Sequence, residues 1–169
     1  LVGVILDHFS ESPLSRDSLT VYTSDHGEML GEHGLWAKGC FHDGAAQVPL
    51  IAAGTNVPAG RLVEDVASIL DLGPTLLDIA GADPLPRADG RSLAAVFEGR
   101  AASPGTAFME LVGAVSGPCR SVRTGPWKLN WYPDEEPELF NLDEDPREDR
   151  NRAGDPALRG TVAELRTAI

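Results

Sequence analysis

Apolar residues recur at Val2, Leu6 and Phe9, a helical spacing, until Ser12, Pro13 and Ser15 end the pattern. Leu19 to Thr23 is short and rich in β-branched and aromatic residues, and it runs straight into Ser24, Asp25, His26 and Gly27. It reads as a buried strand with polar groups at its carboxyl end, the place where open α/β sheets build ligand sites. Beyond a glycine-punctuated loop, Val48 to Ala53 predicts a second buried strand, closed by Gly54 and a turn around Pro58 to Gly60. A helix is expected over Pro74 to Ala80, with Asp71 as a nearby cap and Gly81 just past its end. A shorter one is expected within Gly90 to Gly99, where Leu93, Val96 and Phe97 share a face.

Near Ala101 the character changes. Runs at Thr106 to Val112, Arg120 to Thr124, Trp127 to Tyr132 and Glu138 to Leu142 are separated by Pro, Gly and acidic turns and predict a small antiparallel sheet. Leu158, Val162, Leu165 and Ile169 then form a helical stripe. The chain therefore divides into residues 1–100, of α/β character, and residues 101–169, a small sheet with a terminal helix. It opens on Leu1, in what reads as the middle of an amphipathic helix, and at 169 residues is short for a large α/β enzyme, so a piece of a longer reading frame is expected.

Composition narrows the function. With 26 acidic and 14 basic residues, net −12, the chain lacks the clustered cations that nucleic acid requires. No apolar run approaches the roughly 18 residues of a membrane span. Two cysteines, Cys40 and Cys119, without CxxC spacing, give neither a disulfide scaffold nor a zinc motif and leave the compartment open. An anionic substrate would need a metal ion and a few placed cations.

The chemistry lies in Thr20 to Ile51. Asp25 and His26 end a strand, so a carboxylate oxygen and an imidazole nitrogen can face one cation above the sheet edge, and Gly27 turns the chain away without a Cβ. On physics alone the tripeptide also fits an exposed turn with a capping Asp. His33 and His42, in the same loop, can line the pocket or serve as hydrogen-bonding structural histidines, and His8 reads as solvated.

The string SDHGEMLGEHGLWAKG, followed by an aromatic residue, an acid and VPLI, resembles the sulfatase pattern of choline-sulfatase-like and iduronate-sulfatase-like members of the alkaline phosphatase superfamily. SILDLGPTLLDIAG resembles the helix those enzymes carry next, and RSVRTGPWKLNWY with ELFNLDEDPRED resembles their C-terminal sheet and acidic closing loop. The resemblance implies part of an alkaline-phosphatase-like sheet flanked by helices over residues 1–100, with a C-terminal subdomain over 101–169. It implies Asp25 and His26 as two metal ligands, for calcium in sulfatases or manganese in related phosphonate and phosphodiester hydrolases. Lys38, in WAKG, matches the lysine that contacts the substrate's sulfate, and KGCFHDG resembles a motif variant that makes His42 a substrate contact. Trp36 fits packing or substrate contact equally.

By this resemblance the reaction is metal-dependent hydrolysis of a small-molecule or saccharide sulfate ester by a formylglycine made from the Cys of CxPxR. No CxPxR occurs in these residues. Cys119 to Arg123, CRSVR, has Ser121 in place of the proline and falls on an expected strand after the metal pair, so Cys119 reads as a small buried residue and Arg123 as part of the strand's polar edge. The formylglycine and two early acidic ligands are expected before Leu1. Gln47 stands where an arginine usually precedes VP. The alternatives are a phosphonate monoester or phosphodiester hydrolase on the same fold, or a non-catalytic sulfatase-like domain.

Overall fold

The structure, a computed structural model, describes residues 1–112 and 117–169. In chain order, Val2–Ser10 is α1, Leu19–Thr23 is β1, Asp43–Ala46 is α2, Leu50–Gly54 is β2, Leu72–Ile79 is α3 and Ala94–Phe97 is α4. Thr106–Leu111, Cys119–Thr124, Trp127–Trp131 and Glu138–Asn141 are β3 to β6, and Arg159–Arg166 is α5. The turn expected between the first two runs of the C-terminal sheet falls on residues 113–116, outside the described residues.

The strand expected at Leu19 to Thr23 forms, and its partner begins two residues later than expected, at Leu50, but neither is buried as expected, because the two make a two-stranded sheet that no other described strand extends. The two pair antiparallel, Thr23 opposite Leu50 and Leu19 opposite Gly54. That register returns the loop between them to the Thr23 end of the ladder and sets Asp25 and His26 beside α2. Tyr22 and Ile51, opposite each other in this ladder, are both exposed.

The helix expected from Pro74 starts earlier, at Leu72, on a 3-10 turn at Ile69–Asp71. Asp71 takes part in a capping box with Ser68, and its carboxylate accepts from the Ser68 and Arg91 amides at 3.0 and 2.8 Å. The helix expected within Gly90 to Gly99 contracts to Ala94–Phe97 for a related reason. The Arg91 amide is taken by Asp71 and the Leu93 amide by Thr75 Oγ1 at 2.8 Å, so the backbone there is bonded to α3 and its capping turn instead of to a helical turn of its own.

The four strands β3 to β6 form a sequential antiparallel sheet, as the spacing predicts. Alternation gives it two unlike faces. Val122, Leu129 and Leu139 align across β4, β5 and β6, and with Leu165 of α5 they form the apolar core, with Leu158, Val162 and Ile169 packed around it. The helical stripe in the tail is thus the cover of this face. The opposite face carries Ser121 and Arg123 on β4 and Lys128 and Asn130 on β5, and all but Arg123 are buried. Ser121 Oγ donates to Asn130 Oδ1 at 2.8 Å, and Asn130 Nδ2 donates to Glu138 Oε2 at 3.1 Å. What covers this polar face is the loop between β1 and β2: the Phe41 ring lies 6.1 Å from that of Tyr132, and the His42 ring 5.8 Å from that of Phe140.

Candidate active site

Asp25 and His26 leave β1 where its ladder with β2 ends. Gly27 follows because its amide must reach the Ala45 carbonyl at 2.8 Å, a contact so close that a Cβ would collide with the Gly44 carbonyl oxygen. The chain then folds back on itself, Met29 N donating to Ala37 O at 3.0 Å and Ala37 N to Glu28 Oε1 at 2.5 Å. This fold-back delivers Lys38 to the Asp–His pair, its Nζ 2.5 Å from His26 Nε2.

The histidine tautomer follows from its partners: Nδ1–H donates to the Gly27 carbonyl at 2.7 Å, which leaves the Nε2 lone pair to accept from Lys38. Asp25 Oδ2 lies 3.5 Å from the same Nε2. The Asp25 carboxyl is held below the usual carboxylate range, first by its own backbone amide. The structure therefore brings Asp25, His26 and Lys38 to one point.

Their chemistry fits part of a cation site: an anionic oxygen donor and an imidazole nitrogen whose other ring atom is anchored by a carbonyl. Among the described residues no cluster of three or more His, Cys, Asp or Glu side chains is placed to hold a metal, so this pair supplies two positions of a shell.

His42 goes elsewhere. Its ring stacks on His33 with centroids 4.1 Å apart and planes within 10°, and its Nδ1 lies 3.4 Å from Glu148 Oε2. His33 in turn donates from Nε2 to the Arg147 carbonyl at 2.8 Å. A cavity of about 110 Å³ lies against both rings and the Arg147 and Glu148 loop, and its lining includes none of Asp25, His26 and Lys38. Cys119 is buried on β4, as the reading of CRSVR as a decoy expects. Arg123 is not a free polar edge: its Nη1 reaches Asp43 Oδ2 at 3.5 Å.

Sequence reasoning missed Lys128. Fully buried in mid-strand, its Nζ lies 2.7 Å from Asp43 Oδ1 and 2.7 Å from Glu148 Oε1. Glu148 Oε2 also accepts from the Asp43 amide at 2.6 Å. The WKLNW alternation shows that Lys128 shares a face with Asn130, but nothing in it says that this face is covered.

Burial alone would raise the Glu148 carboxyl, but the neighbouring His42 ring and the Lys128 ammonium outweigh it and bring it down to about 2 from an ordinary 4.5. His42 moves the other way, raised above its ordinary value mainly by the Glu148 carboxylate 3.4 Å from its Nδ1. The signs fix a pH window. A depressed carboxyl stabilises the fold above its unfolded value, and that stability is lost as pH falls through the folded one. A raised imidazole stabilises below its unfolded value of 6.5 and loses that as pH rises through the folded one. Both contributions are therefore present near pH 5 to 6. Urea midpoints of the native protein are expected to fall steeply between pH 4.5 and about 2, while Glu148→Gln, less stable at pH 6 by roughly 3–5 kcal/mol, loses that acid limb. Parallel acid limbs in the two proteins would rule out an ionised Glu148 in the pair.

A sequence-family profile described as N-sulphoglucosamine sulphohydrolase, C-terminal, matches residues 31–169. The chain is 35% identical over 164 residues to a choline-sulfatase of Rhizobium meliloti (strain 1021), covering 95% of this chain and 31% of that protein. Among solved structures, a 2-O GAG sulfatase superposes with a TM-score of 0.89 at 29% identity, over 99% of this chain and 38% of that one. The phosphonate monoester hydrolase of Silicibacter pomeroyi superposes with a TM-score of 0.86 at 32% identity, over 99% and 37%. The chain thus spans about a third of the length of the proteins it matches.

Proposed function

Because the chain belongs to the sulfatase family, we propose that it supplies one side of the active site of a metal-dependent sulfate-ester hydrolase, with Asp25 and His26 as metal ligands and Lys38 as the contact to the sulfate. One observation carries the reading: the Lys38 ammonium converges on the same His26 nitrogen that a cation would use. A cation taken by the Nε2 lone pair would displace the Lys38 ammonium from it and leave two positive groups side by side at the strand end, an anion site that favours the negative charge shifting onto the bridging oxygen as the ester bond breaks. Asp25 holds the cation by charge, His26 by the Nε2 lone pair, and Lys38 donates to the substrate oxygen. The cation, calcium or manganese, adds Lewis-acid polarisation when bound. The nucleophile is a formylglycine contributed by residues outside this chain. The substrate is a small-molecule or saccharide sulfate ester, in line with the choline and GAG substrates named for its relatives.

The likeness to a phosphonate monoester hydrolase supports a second reading on the same residues, a phosphonate ester as substrate. The two part in the assay. Asp25→Asn in the native-length protein is expected to lower metal occupancy and aryl-sulfate turnover together, because a charged ligand becomes a neutral amide. Elemental analysis beside turnover of p-nitrophenyl sulfate and of a phenylphosphonate ester checks both points. Unchanged occupancy and rate would remove Asp25 from the site, and a preference for the phosphonate would replace the sulfatase reading with the second.

A further inference from the structure

We propose that Lys128, through Asp43 and Glu148, is a positioning residue that holds the loop carrying Asp25, His26 and Lys38 in its working shape; this rests on the reading of those three as the site. The chain of contact is short. Lys128 Nζ pairs with Asp43 Oδ1 and Glu148 Oε1, each at 2.7 Å. Glu148 Oε2 takes the Asp43 amide at 2.6 Å, which fixes the first residue of α2. The Ala45 carbonyl of α2 accepts from Gly27 N at 2.8 Å, next to the metal-ligand pair, and the Gly27 carbonyl orients the His26 ring.

The loop needs such a hold. Leu30, His33 and Ala37 all sit at positive φ, 50°, 52° and 64°, and so does Glu148 at 57°. Non-glycine residues keep that conformation only where their surroundings over-determine it. Ala37 is held within the loop by Met29 and Glu28, and His33 from outside it by the Arg147 carbonyl at 2.8 Å. Arg123 adds a second cation on Asp43, and the stacked pair His33 and His42 ties the loop to Arg147 and Glu148.

Stability alone does not account for a fully buried ammonium with two carboxylates. Well-packed apolar residues of similar volume would hold the two layers together as well or better. What an ion cluster provides that an apolar contact does not is a fixed direction: Asp43 and Glu148 have one placement that satisfies both the ammonium and the Asp43 amide. The C-terminal sheet thereby becomes a support for the site.

The test uses Lys128→Met, which keeps the stem and removes the charge, Asp43→Asn, which keeps the shape, and Lys128→Arg. Turnover of p-nitrophenyl sulfate and amide hydrogen exchange are read on the native-length protein well below its melting temperature. In Lys128→Met, kcat is expected to fall on the order of 10- to 100-fold with KM little changed, as when groups that orient a site are removed. Exchange is expected to speed up at Gly27 and Ala37, while Val122 and Leu129 in the β4–β5 ladder stay protected. Lys128→Arg should restore part of the rate. Added to Lys38→Ala, Lys128→Met should cost less than it costs in the wild type, because the position it secures no longer bears a charge. If Lys128→Met fails to fold, Asp43→Asn carries the same expectations. Unchanged exchange at Gly27 and Ala37 in a folded variant, or a melting temperature that drops while kcat holds, would overturn the proposal. Absence of wild-type sulfate-ester turnover would refute the function proposed above, and the exchange pattern alone would then decide the positioning role.

Discussion

Expressed by themselves, the 169 residues turn over no sulfate ester, with calcium or with manganese supplied. Asp25 and His26 furnish two donors, Lys38 one cation, and no CxPxR cysteine lies within the chain to become a formylglycine. A metal held by two side chains binds weakly, and a polarised ester with no activated nucleophile near it stays intact. Surface chemistry points the same way. Val4, Ile5 and Leu14 are 70%, 68% and 73% exposed, and β1 and β2 present Tyr22 and Ile51 to solvent, so the isolated chain also tends to associate through apolar faces. The assay is a chromogenic aryl sulfate, with a formylglycine-generating enzyme coexpressed. Metal-dependent turnover that Cys119→Ala abolishes would mean that CRSVR is a nucleophile motif after all, against its place on a buried strand.

In the native-length protein, Lys38→Ala is expected to lower kcat by about 10² to 10³, the cost of losing one donor aimed at developing negative charge. Lys38 is exposed and fills no core volume, so the melting temperature should change little. Its contact with His26 Nε2 adds a second signature: metal affinity should hold or rise when the neighbouring positive charge goes, whereas Asp25→Asn lowers it. Rate at saturation, melting temperature and metal titration together separate the two variants. Wild-type turnover in folded Lys38→Ala would make the lysine a solvated loop residue.

The strands at Leu19 to Thr23 and at β3 to β6 were legible because their residues alternate or cluster in ways only a pleated strand satisfies, and α5 because its stripe recurs at helical period. The short α4 was over-read as a longer helix. Its flanking amides are claimed by Asp71 and Thr75, some 20 residues away in sequence, and no local pattern reports that. Asp25, His26 and Lys38 could be named from their motif, but their convergence on one imidazole nitrogen needed the loop to fold back through Glu28 and Ala37.

The amino-acid sequence by itself determined which residues bear charge, which face of each C-terminal strand is apolar, and that a strand ends on an Asp–His pair. Only the tertiary structure decided what the polar face of β4 and β5 meets. Arg123 and Lys128 alternate with apolar neighbours just as solvent-facing residues do, and His42 sits in the loop just as a pocket residue would. The strand period gives the direction of a side chain relative to its own sheet and carries no information about what packs above it. Asp43 lies 85 residues from Lys128 in the chain, and their pairing exists because the β1–β2 loop closes over the sheet and burial there makes an unpaired charge costly.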